Sequence, residues 1–203
     1  MKENYNKLME KTISELKKSG QKKRLLLHAC CAPCSSSCIE RLVDDFDVTV
    51  YFYNPNMDTD EEYNLRALEQ QRLCELLDVK CVVEEYIPEQ FFSAVKGMEE
   101  HKEGGARCGV CFSLRLKKTA EYAKLNGFDY FTTTLTVSPL KNAEVLNVIG
   151  EKVGKELGVS FLNSDFKKRN GYARSIELSK EYRLYRQNYC GCIFSKGSSA
   201  NSN

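Results

Sequence analysis

The residues able to do chemistry in this chain are its ten cysteines, and eight of them fall in tight groups. Cys30, Cys31, Cys34 and Cys38 form one group, Cys108 and Cys111 a second, Cys190 and Cys192 a third. Cytosolic thiols are kept reduced, so such spacing points to metal ligation or redox chemistry rather than to a disulfide scaffold. Cys30 and Cys31 are adjacent, and a continuing strand would send them to opposite faces. They can meet at one centre only if the strand ends there and the chain turns, a turn that Pro33 favours. Cys108-Gly109-Val110-Cys111 enters a helix, where N-terminal N–H groups and Arg107 would favour thiolates. Two pairs supply the four thiolates of an iron–sulfur cluster. Four thiolates also suit tetrahedral zinc. A third reading takes Cys31-Ala32-Pro33-Cys34 as a thiol–disulfide motif of thioredoxin type, with Pro139 as that fold's cis-proline, but it leaves the other pairs without a task.

In Cys190-Gly191-Cys192, Gly191 gives the backbone freedom that a very small disulfide ring requires, and such a ring is easily reduced. The same pair could also serve as two further metal ligands. Cys74 and Cys81 sit in helix-like and strand-like surroundings and read as core residues. His28 lies on a buried strand and reads as core. Asp165 is a candidate general acid, or else a salt-bridge partner or helix cap. No phosphate-cradling Gly-rich pattern of the P-loop or dinucleotide type is present.

The elements that must position these residues alternate. Strands are predicted at 24–28, 47–53, 80–86, 128–134 and 159–162. Helices are predicted at 34–44, 60–78, 88–98, 111–126 and 143–157, the second with Leu65, Leu68, Leu73, Leu76 and Leu77 as its apolar stripe. The chain ends in a helical, tyrosine-rich segment. Such alternation implies an α/β fold with a parallel sheet flanked by helices, whose site lies beyond the carboxyl ends of the strands. That rim collects Cys30 and Cys31, Asn54 and Asn56, Thr132 to Thr134, and Asn163 with Asp165. The 203 residues suit a single domain over 24–195, with a helical extension over 1–23 and a disordered tail over 196–203. With no apolar signal core and no membrane-length run, the expected location is the cytoplasm.

Net charge is only +2, yet Asp165 to Lys196 holds eight Lys or Arg against three acids. Basic residues interleaved with tyrosines, as in Tyr182-Arg183-Leu184-Tyr185-Arg186, suit a phosphate-bearing partner with stackable bases, or an ordinary solvated helix face.

Six segments, in order, carry a resemblance. They are Leu-Leu-Leu-His-Ala-Cys-Cys-Ala-Pro-Cys (25–34), Tyr-Phe-Tyr-Asn-Pro-Asn (51–56), Arg-Cys-x-x-Cys-Phe-x-x-Arg-Leu (107–116), Phe-Thr-Thr-Thr-Leu-x-x-Ser-Pro-x-Lys (131–141), Asp-Phe-Lys-Lys (165–168) and Leu-Tyr-Arg-Gln-x-Tyr-Cys-Gly-Cys (184–192). Together they resemble the epoxyqueuosine reductase family of the QueH type. The resemblance implies a fold of the adenine-nucleotide α-hydrolase (HUP) kind, with Cys-Cys-Ala-Pro-Cys where those proteins place a phosphate loop. It implies reduction of epoxyqueuosine to queuosine in the anticodon loop of tRNA, and a [4Fe-4S] cluster on Cys30, Cys31, Cys108 and Cys111. It further implies a redox-active disulfide of Cys190 with Cys192, and an additional iron for which Cys34 is an available ligand. The competing readings are the thiol–disulfide oxidoreductase of Cys31 and Cys34 and a zinc-stabilised RNA-binding module.

Overall fold

The computed structural model describes residues 3–20 and 22–196. Five strands, β1 (Lys23–Ala29), β2 (Phe46–Phe52), β3 (Lys80–Val83), β4 (Tyr130–Thr133) and β5 (Ser160–Phe161), pair in the order β3-β2-β1-β4-β5. Every pairing is parallel. The β1 core run Leu25, Leu26 and Leu27 is fully buried, as a central strand covered on both faces must be. Strand order reverses between β1 and β4, which opens a crevice at their carboxyl ends. The wholly parallel sheet removes the thioredoxin-type alternative, and no cis peptide bond occurs among the described residues, Pro139 included.

Helices cover both faces. They are α1 (Tyr5–Ser19), α2 (Ala32–Leu42), α3 (Asp60–Leu76), α4 (Pro88–Ala94), α5 (Ala106–Leu125), α6 (Ala143–Leu157), α7 (Gly171–Glu181) and the short α8 (Ile193–Lys196). A 3₁₀ turn, Thr134–Val137, follows β4. α1 starts at Asn4, whose side chain accepts from the Lys7 N–H, and it sends Met9 into the core shared with β1 and α2. The tail expected to be disordered lies outside the described residues from 197 on, whereas Lys196 closes α8 and pairs with Asp58 at 2.7 Å. No helix is long and apolar enough to cross a membrane.

Two predictions about helices need correction. α5 begins five residues before the predicted start, so Cys108 and Cys111 both lie within it, three residues apart on one face. The leucine stripe proposed for α3 is wrong: Leu65, Leu68 and Leu76 are 44%, 66% and 57% exposed. The buried face of α3 is instead Tyr63, Arg66, Ala67, Gln70, Leu73 and Cys74, a mixed surface because it covers a polar site.

α6 approaches the sheet through Gly150 and Gly154. A Cβ at Gly154 would overlap the Val159 carbonyl oxygen, a backbone atom that cannot rotate away. Gly154→Ala is therefore expected to destabilise the protein by about 1–3 kcal/mol through overpacking, read as a lower urea midpoint with an unchanged slope.

Candidate metal and redox centre

β1 ends at Ala29, and the next residues form the site. Cys31 is extended (φ −173°, ψ 157°) and serves as the N-cap of α2, with Pro33 in the first turn. This break in the strand brings Cys30 and Cys31 to one side, their sulfurs 3.7 Å apart. Cys34, one turn into α2, joins them, and the three sulfurs all lie within 4.8 Å of one another. Among the described residues this is the one such group of metal-binding type. Across the crevice, Thr134 at the end of β4 sets its hydroxyl 3.4 Å from the Cys30 N–H and 3.6 Å from the Cys30 sulfur.

Cys108 and Cys111 stand outside that trio. Cys111 borders a small cavity, about 30 Å³, with Cys108, Cys190, Cys192 and Arg115. The larger cavity, about 570 Å³, is lined by Cys30, Cys31, Cys34, Arg66, Arg115 and Cys190 among others. Glu103, Arg115, Lys141 and Cys190 belong to both, so the two cysteine groups face each other across a shared wall.

Cations line these cavities, Arg115 and Lys141 both of them and Arg66 the larger. Arg66, 2% exposed, donates its Nε to Glu62 at 2.6 Å. Arg115, 3% exposed, reaches the Cys111 sulfur at 3.9 Å through Nη1 and the Asn54 amide oxygen at 2.5 Å through Nη2. Asn54 in turn donates to the Ala29 carbonyl at 2.9 Å, which ties the guanidinium to the end of β1. Lys141 lines both cavities, and its carbonyl accepts from Lys167 Nζ at 3.1 Å.

The sulfurs respond. Cys30 is held well below the usual thiol range by hydrogen bonds from Cys31 and Cys34, helped by Arg115 and Lys141. Cys31 is pushed up to about 12 by its bond to Cys30, and Cys34 also rises. Cys190 is likewise drawn down, first by a hydrogen bond from Cys192 and then by Lys141 and Ser195, whose hydroxyl lies 3.0 Å away. Cys192 rises in consequence. Cys30 and Cys190 are thus the two sulfurs drawn toward the thiolate form, each by neighbouring thiols and both by Lys141. All ten cysteines are unbridged in this structure, the Cys190 and Cys192 pair included. Gly191 between them has φ +94°, and a Cβ there would collide with the buried Met57 sulfur.

Other expected residues are placed differently. Arg107 donates to the Met98 and Glu99 carbonyls at 3.0 and 2.8 Å and lies over the Phe194 ring, so it braces a turn; the arginine that reaches a thiol is Arg115. Asp165 lines neither cavity and pairs with Lys167 at 3.5 Å. Asn163 donates to Asn147 and Glu151 rather than to the crevice, because β5 is the sheet edge, one strand beyond β4. His28 is the core residue expected. It is fully buried against Thr133 and Tyr53 and held neutral, its pKa pushed down to about 3 by burial and by Arg115. Cys74 is also core; Cys81, half-buried, packs beside it. Sequence reasoning gave no role to Arg66, Arg115, Lys141 and Glu103, whereas Thr134 stands at the rim where it was expected. Arg66 and Gln70 could have been found from their helical spacing with Tyr63, Ala67 and Leu73.

In metal-free, reduced protein at neutral pH, iodoacetamide is expected to alkylate Cys30 and Cys190 ahead of Cys38, whose pKa burial raises. Lys141→Met should slow both fast sites several-fold; peptide mass spectrometry reads the order.

Comparisons with known proteins follow from this geometry. The family model described as epoxyqueuosine reductase QueH matches residues 25–198. A curated epoxyqueuosine reductase QueH from Streptococcus pyogenes is 42% identical over 197 residues, covering 94% of this chain and 77% of its own. One from Staphylococcus epidermidis is also 42% identical, covering 94% and 84%. One from Thermotoga maritima is 36% identical, covering 84% and 89%. Among solved structures, the U34-tRNA thiolase NcsA from Methanococcus maripaludis with its [4Fe-4S] cluster shares the fold. Its TM-score is 0.54 at 12% identity, over 95% of this chain and 69% of that one.

Proposed function

The chain belongs to the epoxyqueuosine reductase QueH family, and from that premise we propose how this site reduces epoxyqueuosine to queuosine at the wobble position of tRNA, the last step of queuosine synthesis. The observation that carries the reading is the meeting, at one crevice, of a gathered thiol trio with Cys190 of the separate Cys190–Cys192 pair. Removing an epoxide oxygen takes two electrons and two protons, and these two sulfur groups divide that work.

Soft thiolate donors ringed by Arg66, Arg115 and Lys141 fit an anionic iron–sulfur centre. In this reading Cys30, Cys31, Cys108 and Cys111 hold a [4Fe-4S] cluster, and Cys34, already beside Cys30 and Cys31, is the ligand available to an additional iron. When bound, the cluster supplies electrons or Lewis acidity next to the epoxide. The residues of the chain do the rest. Cys190, drawn toward the thiolate by Cys192 and Lys141, forms with Cys192 the redox-active pair, which closes to a disulfide as it gives up two electrons for the deoxygenation. An external donor then reopens it.

The substrate enters at the mouth of the larger cavity, lined by Tyr172, Arg186 and Tyr189. Tyr172 is 39% exposed and has Arg186 over its ring at 5.6 Å. That arrangement suits the unpaired bases of an anticodon loop, which stack on aromatic and guanidinium planes while cations meet their phosphates. Several nearby cations are committed elsewhere, Arg174 to Glu40 and Lys196 to Asp58, so the basic stretch is narrower than its sequence suggests.

Two variants separate the roles. Cys108→Ala should lose iron and all conversion of epoxyqueuosine-containing tRNA. Cys190→Ser should keep its iron and acid-labile sulfide yet convert nothing, as measured by nucleoside analysis of the treated tRNA. Protein purified without oxygen that carries stoichiometric zinc in place of iron and sulfide would overturn the reading in favour of a zinc-stabilised RNA-binding module.

A further inference from the structure

Glu103 is the one carboxyl group on the walls of the cavities that hold the cysteines. It lines the cavity of Cys30, Cys31 and Cys34, the cavity of Cys111 and Cys192, and a third, about 620 Å³, beside Cys108. Only Lys141 shares that position at all three. No hydrogen bond or ion pair to a described residue engages the Glu103 carboxyl at close range. Its loop is set by Gly104, at φ +84°, whose N–H points at the Cys108 sulfur at 3.2 Å. Glu103 is exposed, so water can restore its proton.

We propose that Glu103 is a catalytic acid of this site, its carboxyl delivering a proton to the epoxide oxygen as the carbon–oxygen bond breaks. This rests on the reductase reading. The step balances. The Cys190 thiolate and the Cys192 thiol become one disulfide and give up two electrons. Both carbon–oxygen bonds of the epoxide break, a carbon–carbon double bond forms, and the oxygen leaves as water. One of its protons comes from Cys192 and the other from Glu103, which ends as a carboxylate.

Competing donors are otherwise occupied. His28 is neutral, buried and bonded at both ring nitrogens. Asp165 is paired with Lys167. The Tyr189 hydroxyl donates to Asp58 at 2.9 Å. Were Lys141 to give up its proton, Cys30 and Cys190 would lose the cation they both face. The groups facing Glu103 are Cys190 from the C-terminal segment, Lys141 from the loop before α6, and Arg107 from α5. Partial desolvation on the side that faces the cavities and then Cys190 raise its pKa, against Lys141 and Arg107. The carboxyl therefore keeps its proton more readily than a solvated one.

The test is single-turnover conversion of epoxyqueuosine-containing tRNA by the reduced holoenzyme. Glu103→Ala is expected to slow it by about a hundredfold or more, the usual scale for a lost general acid, with iron, sulfide and tRNA affinity unchanged. Added formate should restore much of the rate in Glu103→Ala, while Cys190→Ser stays inactive with or without it. Glu103→Asp should retain part of the rate. A wild-type rate in Glu103→Ala, a loss that formate does not restore, or a loss accompanied by loss of iron would overturn the assignment. A wild-type holoenzyme that converts nothing would instead remove the reductase reading, and this inference with it.

Discussion

Negative sulfur held against buried cations is the constraint from which the rest of this structure follows. Cys30 and Cys190 are drawn toward the charged form in a setting where burial opposes it, first by hydrogen bonds from neighbouring thiols and then by Lys141, with Arg115 also acting on Cys30. Each cation needs its own anchor. Arg115 is fastened to Asn54 and so to the end of β1, Arg66 to Glu62, and the Lys141 backbone to Lys167. The inner face of α3 is mixed for this reason, and Leu65, Leu68 and Leu76 point outward while Leu73 stays inside.

The doubly wound sheet supplies the place. At the reversal between β1 and β4, folds of this kind turn the first strand into a helix around a ligand. Here the turn carries side-chain sulfur where a phosphate cradle would present backbone N–H groups. Cys31 fills the N-cap position without a side-chain capping bond, so its sulfur is free to face the other two thiols.

Much of this was legible in the sequence. The strand runs at Leu25–Leu27 and Val48–Phe52 have the apolar density of covered parallel strands, and their order along the chain fixed which ends gather. The grouping of cysteines marked the site, and the strand break at Cys30–Pro33 followed from proline chemistry. The failures share one cause. A periodicity argument assumes that the buried face is apolar, and on α3 it is not: Arg66 is 2% exposed while Leu68 is 66% exposed. The start of α5 was missed because Gly104 and Gly105 read as a break, while Gly105 is its N-cap. Asp165 drew attention by following β5, but an edge strand does not border the crevice. Lys141 could not be singled out because its value lies in two sulfurs more than forty residues away on either side.

The segment bearing Cys190 and Cys192 joins no strand ladder. It is fastened to α3 by side chains: Glu69 accepts the Tyr185 N–H at 2.7 Å, Arg72 donates to the Tyr182 carbonyl at 3.0 Å, and Asp58 receives both Tyr189 and Lys196. A strap buckled at its ends opens at a smaller free-energy cost than the sheet beneath it. The arm that carries Cys190 and Cys192 can therefore loosen from the cavity it lines without disturbing the strand end that gathers Cys30, Cys31 and Cys34.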